Sequence, residues 1–146
     1  MSNYIQDLLA GLKNFSDNIL EMTIMENNAI LVEEKIERLQ VIVCKNRNLL
    51  GKIAGEMVAE KIKEIITEKG KARIIFAAAP SQNEFLATLG EASGIDWSKV
   101  TVFHMDEYIG LEANAPQLFS NFLKEKLFNR VNPGRIHVID SSNAIE

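Results

Sequence analysis

Between residues 4 and 22, apolar side chains recur at three- and four-residue steps (Ile5, Leu8, Leu9, Leu12, Phe15, Ile19 and Leu20). This spacing predicts an amphipathic helix that Gly11 weakens slightly. Two short apolar or β-branched runs follow, at residues 29–32 and 40–44, separated by the charged Glu33-Glu34-Lys35-Ile36-Glu37-Arg38. The second run reads as a strand, and the first as a strand or a connector. Asn46 or Asn48 can cap a long helix whose stripe is Leu50, Ile53, Ala54, Met57, Val58, Ile62, Ile65 and Ile66, ending at Gly70.

Residues 73–79 run almost without polar interruption, as a strand covered on both faces would. A short helix is predicted at 83–92, a turn at 94–98 and a strand at 100–105. Pro116 suits the first turn of another helix carrying Leu118, Phe119, Phe122, Leu123 and Leu127. Asn132-Pro133-Gly134 predicts a turn, and residues 136–139 a last strand. Strands alternating with helices imply βαβ units and a mainly parallel sheet.

Composition narrows the functional classes. A chain of 146 residues with 47% hydrophobic and 25% charged positions is that of an ordinary globular domain. Its net charge of -4, with Lys and Arg spread along the chain, gives no basic footprint for nucleic acid. No signal-peptide pattern and no run long enough for a membrane span occurs, so a cytoplasmic protein without a membrane partner is expected. Cys44 is the single cysteine, and its neighbours Val41, Ile42 and Val43 predict a buried structural thiol in a reducing compartment.

Two strand-to-loop junctions carry the candidate chemistry. The run Val100-Thr101-Val102-Phe103-His104-Met105 ends in the adjacent carboxylates Asp106 and Glu107, and open α/β sheets bind their ligands at such carboxyl ends. Alternation along a strand points the two carboxylates in different directions, leaving one for a pocket. Asp106 is the candidate base, because a carboxylate in a half-dry cleft can remove a proton beside a carbonyl. The plainer alternative is that Asp106-Glu107 marks where the strand meets solvent. His104, two residues before Asp106, would share its side as an acid-base or metal pair, or else be a packed core histidine; no third ligand stands at useful spacing. Tyr108 could bond a substrate oxygen or simply pack. At the other junction, Pro80-Ser81-Gln82-Asn83 offers a hydroxyl, side-chain amides and a helix start suited to phosphate oxygens, or merely a helix cap.

Phe103-His104-Met105-Asp106-Glu107-Tyr108-Ile109-Gly110-Leu111, followed by Pro116-Gln117 and the Phe119/Phe122 pair, resembles the central motif of the glucosamine-6-phosphate deaminase (isomerase) family. The resemblance extends back through Ala77-Ala78-Ala79-Pro80-Ser81-Gln82-Asn83 and the preceding helix, covering roughly residues 35–139. Residues 1–34 then form an N-terminal helical extension and connector, and 35–146 the N-terminal part of a sugar-phosphate deaminase/isomerase-like domain. The resemblance implies a three-layer α/β/α Rossmann-like fold and conversion of glucosamine 6-phosphate to fructose 6-phosphate and ammonia, with no redox cofactor and no metal. It gives Asp106 the proton transfer between C2 and C1 of the ring-opened sugar and assigns the phosphate to Ser81 with its neighbours Gln82 and Asn83. Glu107 and Tyr108 become orienting or substrate-binding residues.

Two departures from the family pattern bear on this reading. Pro80 stands where the family has a glycine, removing an N–H donor from the phosphate loop. The family's later Asp-Gly-His segment with its Glu, and a phosphate-binding lysine, do not occur in these residues, so a partial chain with little or no activity alone is expected. Its incomplete sheet should expose an edge and an apolar face, which favours a homo-oligomer. The competing readings are a 6-phosphogluconolactonase-like or other sugar-phosphate isomerase activity, and a non-catalytic sugar-phosphate-binding domain.

Overall fold

The computed structural model describes residues 30–142, and the helix expected at residues 4–22 lies outside them. The chain divides between Leu49 and Leu50 into two compact units. In the first, β1 (Ile30–Ile36) and β2 (Leu39–Cys44) form an antiparallel hairpin with Ile36 opposite Leu39 and Val32 opposite Val43. The charged segment expected to separate two runs is therefore mostly strand. Glu37 adopts a left-handed φ of 54° in the two-residue turn, the twist that tight hairpins need. Gln40 Nε2 donates to Glu33 Oε1 at 2.8 Å across the ladder. Cys44 is half-buried at the end of β2 rather than buried in a core.

In the second unit the expected elements follow in order. Helix α1 (Arg47–Lys69), whose first three residues precede the division, starts on Asn46, one of the two caps open in the sequence, with Leu49 N–H donating to Asn46 Oδ1 at 3.0 Å. After it come β3 (Ala72–Phe76), a 3-10 turn (Pro80–Gln82), α2 (Asn83–Glu91), a second 3-10 turn (Trp97–Lys99) and β4 (Val100–His104). Next come α3 (Phe119–Leu123), a π-helical turn (Lys124–Phe128), α4 (Asn129–Val131) and β5 (Arg135–His137). The three strands form a parallel sheet in the order β3-β4-β5, as α/β crossovers dictate.

Even-numbered positions of β3 and β4 face the helices. Ala72, Phe76, Val100 and Val102 pack with Ala59 and Ile62 of α1, Leu86 and Leu89 of α2, and Leu123, Leu127 and Phe128. Phe128 meets Phe76 edge-on at 5.7 Å. The opposite face carries Arg73, Ile75, Thr101, Phe103, Arg135 and His137. Ile75 there is 65% exposed, and the His137 ring stacks on Phe103 at 4.9 Å. The described residues thus supply a parallel sheet with one helical layer and one open face. β3, expected to be covered on both sides, is covered on one by the described residues.

Two glycines of α1 bring it against α2. A Cβ on Gly51 would lie 2.3 Å from the Glu84 Cβ and 2.8 Å from its carbonyl carbon, and one on Gly55 would lie 2.7 Å from Thr88 Cβ. Because backbone stands in the way at Gly51, a methyl there must push α2 aside. Gly51→Ala should lower stability by about 1–2 kcal/mol, overpacking outweighing the helix propensity gained. Urea unfolding checks this, and an unchanged midpoint would show that α2 yields freely.

Candidate functional site at the carboxyl edge of the sheet

Parallel pairing sets the two candidate loops side by side. Phe76, the last residue of β3, pairs with His104, the last of β4, and Met105 N–H donates to Phe76 O at 3.1 Å. The loops leaving these strands carry Ser81 and Asp106, so both emerge from the same edge. The loop after β5 joins them: Gly110 N–H donates to Ser141 O at 2.7 Å and Ser141 Oγ to Leu111 O at 2.9 Å. Ser141, only 4% exposed, was not among the residues expected to matter, and a serine in a polar stretch carries no signal of such a role.

Asp106 is exposed and Glu107 is turned inward, the divergence expected of neighbours at a strand end. The half-dry cleft imagined around Asp106 is not formed by the described residues. The Glu107 side chain, shielded from solvent, accepts backbone N–H bonds from Tyr108 (3.0 Å) and Phe119 (2.9 Å) on Oε1 and from Ser120 (2.8 Å) on Oε2. It caps α3 from twelve residues upstream. This also explains why the helix begins at Phe119 and not at Pro116. Residues 112–118 are turns, closed by Ala115 N–H to Glu112 O and Leu118 N–H to Ala115 O, and no side chain local to α3 caps it.

Burial opposes the Glu107 charge, but the hydrogen bonds from Ser120, Phe119 and Tyr108 outweigh it and hold the carboxyl below the ordinary glutamate value of 4.5. Nearby, His104 Nε2 lies 3.8 Å from Glu107 Oε2, too far for a hydrogen bond, and neither ring nitrogen has a partner among the described residues. Of the two readings of His104, the pairing with Asp106 does not form and the packed, buried histidine does, though without, among the described residues, the hydrogen bond such a residue usually makes. Strand regularity stops at His104, so the buried imidazole faces Glu107 while Asp106 lies exposed on the loop. Tyr108, half exposed, rests its ring on Phe119 at 4.9 Å. Among the described residues no three His, Cys, Asp or Glu side chains gather as a metal site.

At the other loop, Gln82 N–H donates to Ala79 O at 2.9 Å and Asn83 N–H to Pro80 O. The 3-10 turn initiated by Pro80 thus turns two amides inward, in addition to the donor that proline lacks. The exposed groups it offers an anion are the Ser81 hydroxyl and the Asn83 amide, with Gln82 half-buried beside them at the start of α2.

A parallel sheet with two polar loops at its carboxyl edge and helices as crossovers defines an α/β protein of Rossmann-like type. A family model described as glucosamine-6-phosphate isomerases/6-phosphogluconolactonase matches residues 45–146. The chain belongs to this family. It is 33% identical over 100 residues to a glucosamine-6-phosphate deaminase of Arthrobacter sp. (strain FB24), covering 64% of this chain and 38% of that protein. It is 44% identical over 55 residues to glucosamine-6-phosphate deaminase 2 of Bacillus subtilis (strain 168), covering 36% of this chain and 22% of that protein. Among solved structures, the 6-phosphogluconolactonase from Plasmodium vivax superposes with a TM-score of 0.69 at 16% identity over 77% of this chain and 40% of that one. A monomeric glucosamine-6-phosphate deaminase gives 0.60 at 20% over 68% and 42%. The chain therefore spans less than half the length of these relatives. Among the described residues no helix is long and apolar enough to cross a membrane.

Replacing Glu107 by Gln leaves one acceptor oxygen for three backbone donors. Glu107→Gln should destabilise the chain by roughly 2–3 kcal/mol at neutral pH, the scale of buried donors left unpaired. Because the folded-state pKa is lowered, the carboxylate's contribution is complete above the unfolded value and is lost as pH falls through the folded one. The gap between wild type and variant should accordingly narrow below about pH 4.5, as urea titrations across pH would show. A gap independent of pH would remove the charge from the explanation.

Proposed function

We propose that the carboxyl edge formed by the β3 and β4 loops belongs to an amino-sugar-phosphate deaminase/isomerase that converts glucosamine 6-phosphate and water to fructose 6-phosphate and ammonia. The observation that supports this reading is the pairing of Phe76 with His104, which brings Ser81 and Asp106 out at one edge of the sheet. In this reading Ser81, Gln82 and Asn83 hold the phosphate, and the Asp106 carboxylate takes the proton from C2 of the open-chain sugar and returns it at C1. Glu107 binds no substrate atom; it fixes the loop on which Asp106 stands. Tyr108, braced on Phe119, lines the approach. The reaction is assigned without a cofactor, and the setting is that of cytoplasmic sugar metabolism.

The sequence relatives favour deamination, whereas the structural likeness to 6-phosphogluconolactonases keeps lactone hydrolysis as a second reading. A single experiment separates these from a domain that binds without turnover. Ammonia release from glucosamine 6-phosphate and hydrolysis of 6-phosphogluconolactone are measured for the 146-residue chain and for Asp106→Asn, alongside binding of glucosamine 6-phosphate by calorimetry. We expect binding to survive the substitution within about twofold. Ammonia release, slow in the parent chain, should drop at least about a hundredfold, as loss of a general base requires. Lactone hydrolysis alone would favour the second reading, and binding with no turnover of either compound the third.

A further inference from the structure

The other end of the same sheet carries a concave surface. A cleft of about 350 Å³ at the amino edge of β3, β4 and β5 is lined by Lys71, Arg73, Ser98, Lys99, Thr101 and Arg135 together with Gly70 and Gly134. In a chain of net charge -4, four basic side chains in one small cleft are a local reversal of sign.

Strand register arranges them. Arg73 pairs with Thr101 and Thr101 with Arg135, so the two arginines flank one threonine in a straight row across the sheet. Neighbouring strands lie about 4.8 Å apart, which sets the two arginine Cα atoms roughly 10 Å from each other, within reach of one ligand between them. Lys99 is engaged by Asp96 at 3.2 Å, whereas Lys71, Arg73 and Arg135 make no ion pair among the described residues. The rim is also held firmly. Gly134 N–H donates to Trp97 O at 2.9 Å, and a Cβ on Gly134 would lie 2.0 Å from Ser98 O, so the turn before β5 is pressed onto the turn before β4.

Planar guanidinium groups with free donors, a hydroxyl between them and an ammonium at the side suit a tetrahedral oxyanion. A cleft of this volume admits a small molecule rather than a polymer. We propose that it binds a phosphate dianion, free or esterified to a small metabolite, with Arg73 and Arg135 gripping its oxygens and Lys71 adding charge. Five residue steps along the chain separate Thr101 in this cleft from Asp106, roughly 15 Å at strand rise, so an anion held here does not reach Asp106.

The test is a titration of the isotope-labelled 146-residue chain with inorganic phosphate, and separately with glycerol 3-phosphate, followed by amide NMR with sodium chloride at matched ionic strength as control. We expect saturable shifts at Lys71, Arg73, Ser98, Thr101 and Arg135 that chloride does not produce. In the double variant Arg73→Gln, Arg135→Gln the affinity read at these amides should weaken at least about tenfold, each charged hydrogen bond being worth about that factor. Shifts at Ser81 and Asn83, which report the other site, should be unchanged by that variant. Both arginines are exposed, and Arg73→Lys, Arg135→Lys, which keeps the charge, should show an intermediate loss. Tighter binding of the ester identifies a metabolite as the occupant, and equal binding identifies free phosphate. Shifts that never saturate, that chloride reproduces, or that persist in the double glutamine variant would overturn the proposal.

Discussion

Three backbone N–H groups from two separate stretches of chain converge on the Glu107 carboxylate, and much of the carboxyl edge is organised around that convergence. An exposed helix start can leave its first amides to water, but a buried one must find acceptors within the protein. Glu107 supplies them to Phe119 and Ser120, and in doing so fixes where α3 begins. The same bond set ties the loop after β4 to the start of α3, while Asp106, the immediate neighbour of Glu107, stays exposed. One side chain thus relates the direction of a helix to the exposure of the adjacent carboxylate.

Elements whose signals are local were legible before any coordinates. The stripe in residues 50–66 with a capping Asn46, the apolar run entering β3 and the β-branched run of β4 all rest on periodicity and neighbouring residues, and they stand where expected. The parallel sheet followed from their alternation. What could not be read depends on distant partners. Pro116 looked like a helix start because the capping group is not local to α3, and Glu107 carries no mark of that task. The hairpin was obscured because Glu37-Arg38 is a charged pair in place of the usual Asn-Gly, and because its strands are largely solvated and so lack clean alternation. His104 and Asp106 share strand parity on paper, but the strand ends between them.

The loop at Pro80 shows how one departure from a family pattern propagates. A glycine there would keep a backbone donor and leave φ free; proline removes the first and restricts the second. The resulting 3-10 turn engages the amides of Gln82 and Asn83 internally, so the polar groups the loop presents to solvent include the side chains of Ser81 and Asn83. Side-chain amides and hydroxyls are adjustable where backbone amides are fixed. The position of these side chains depends in turn on how firmly α2 is seated against Gly51 and Gly55.

The contact of Gly134 with the Ser98 carbonyl bears on the register of the sheet. β5 is three residues long, and so few ladder bonds discriminate poorly between neighbouring alignments. A slip of one residue in either direction would bring Pro133 or Arg135 to the spot where only a hydrogen atom fits. Steric exclusion thereby adds to the ladder bonds in choosing the alignment of the last strand. Everything downstream inherits that choice: His137 lands on Phe103, and Ser141 arrives beneath the Gly110-Leu111 turn. A single missing side chain at one end of the sheet is in this sense a ruler for the loops at the other.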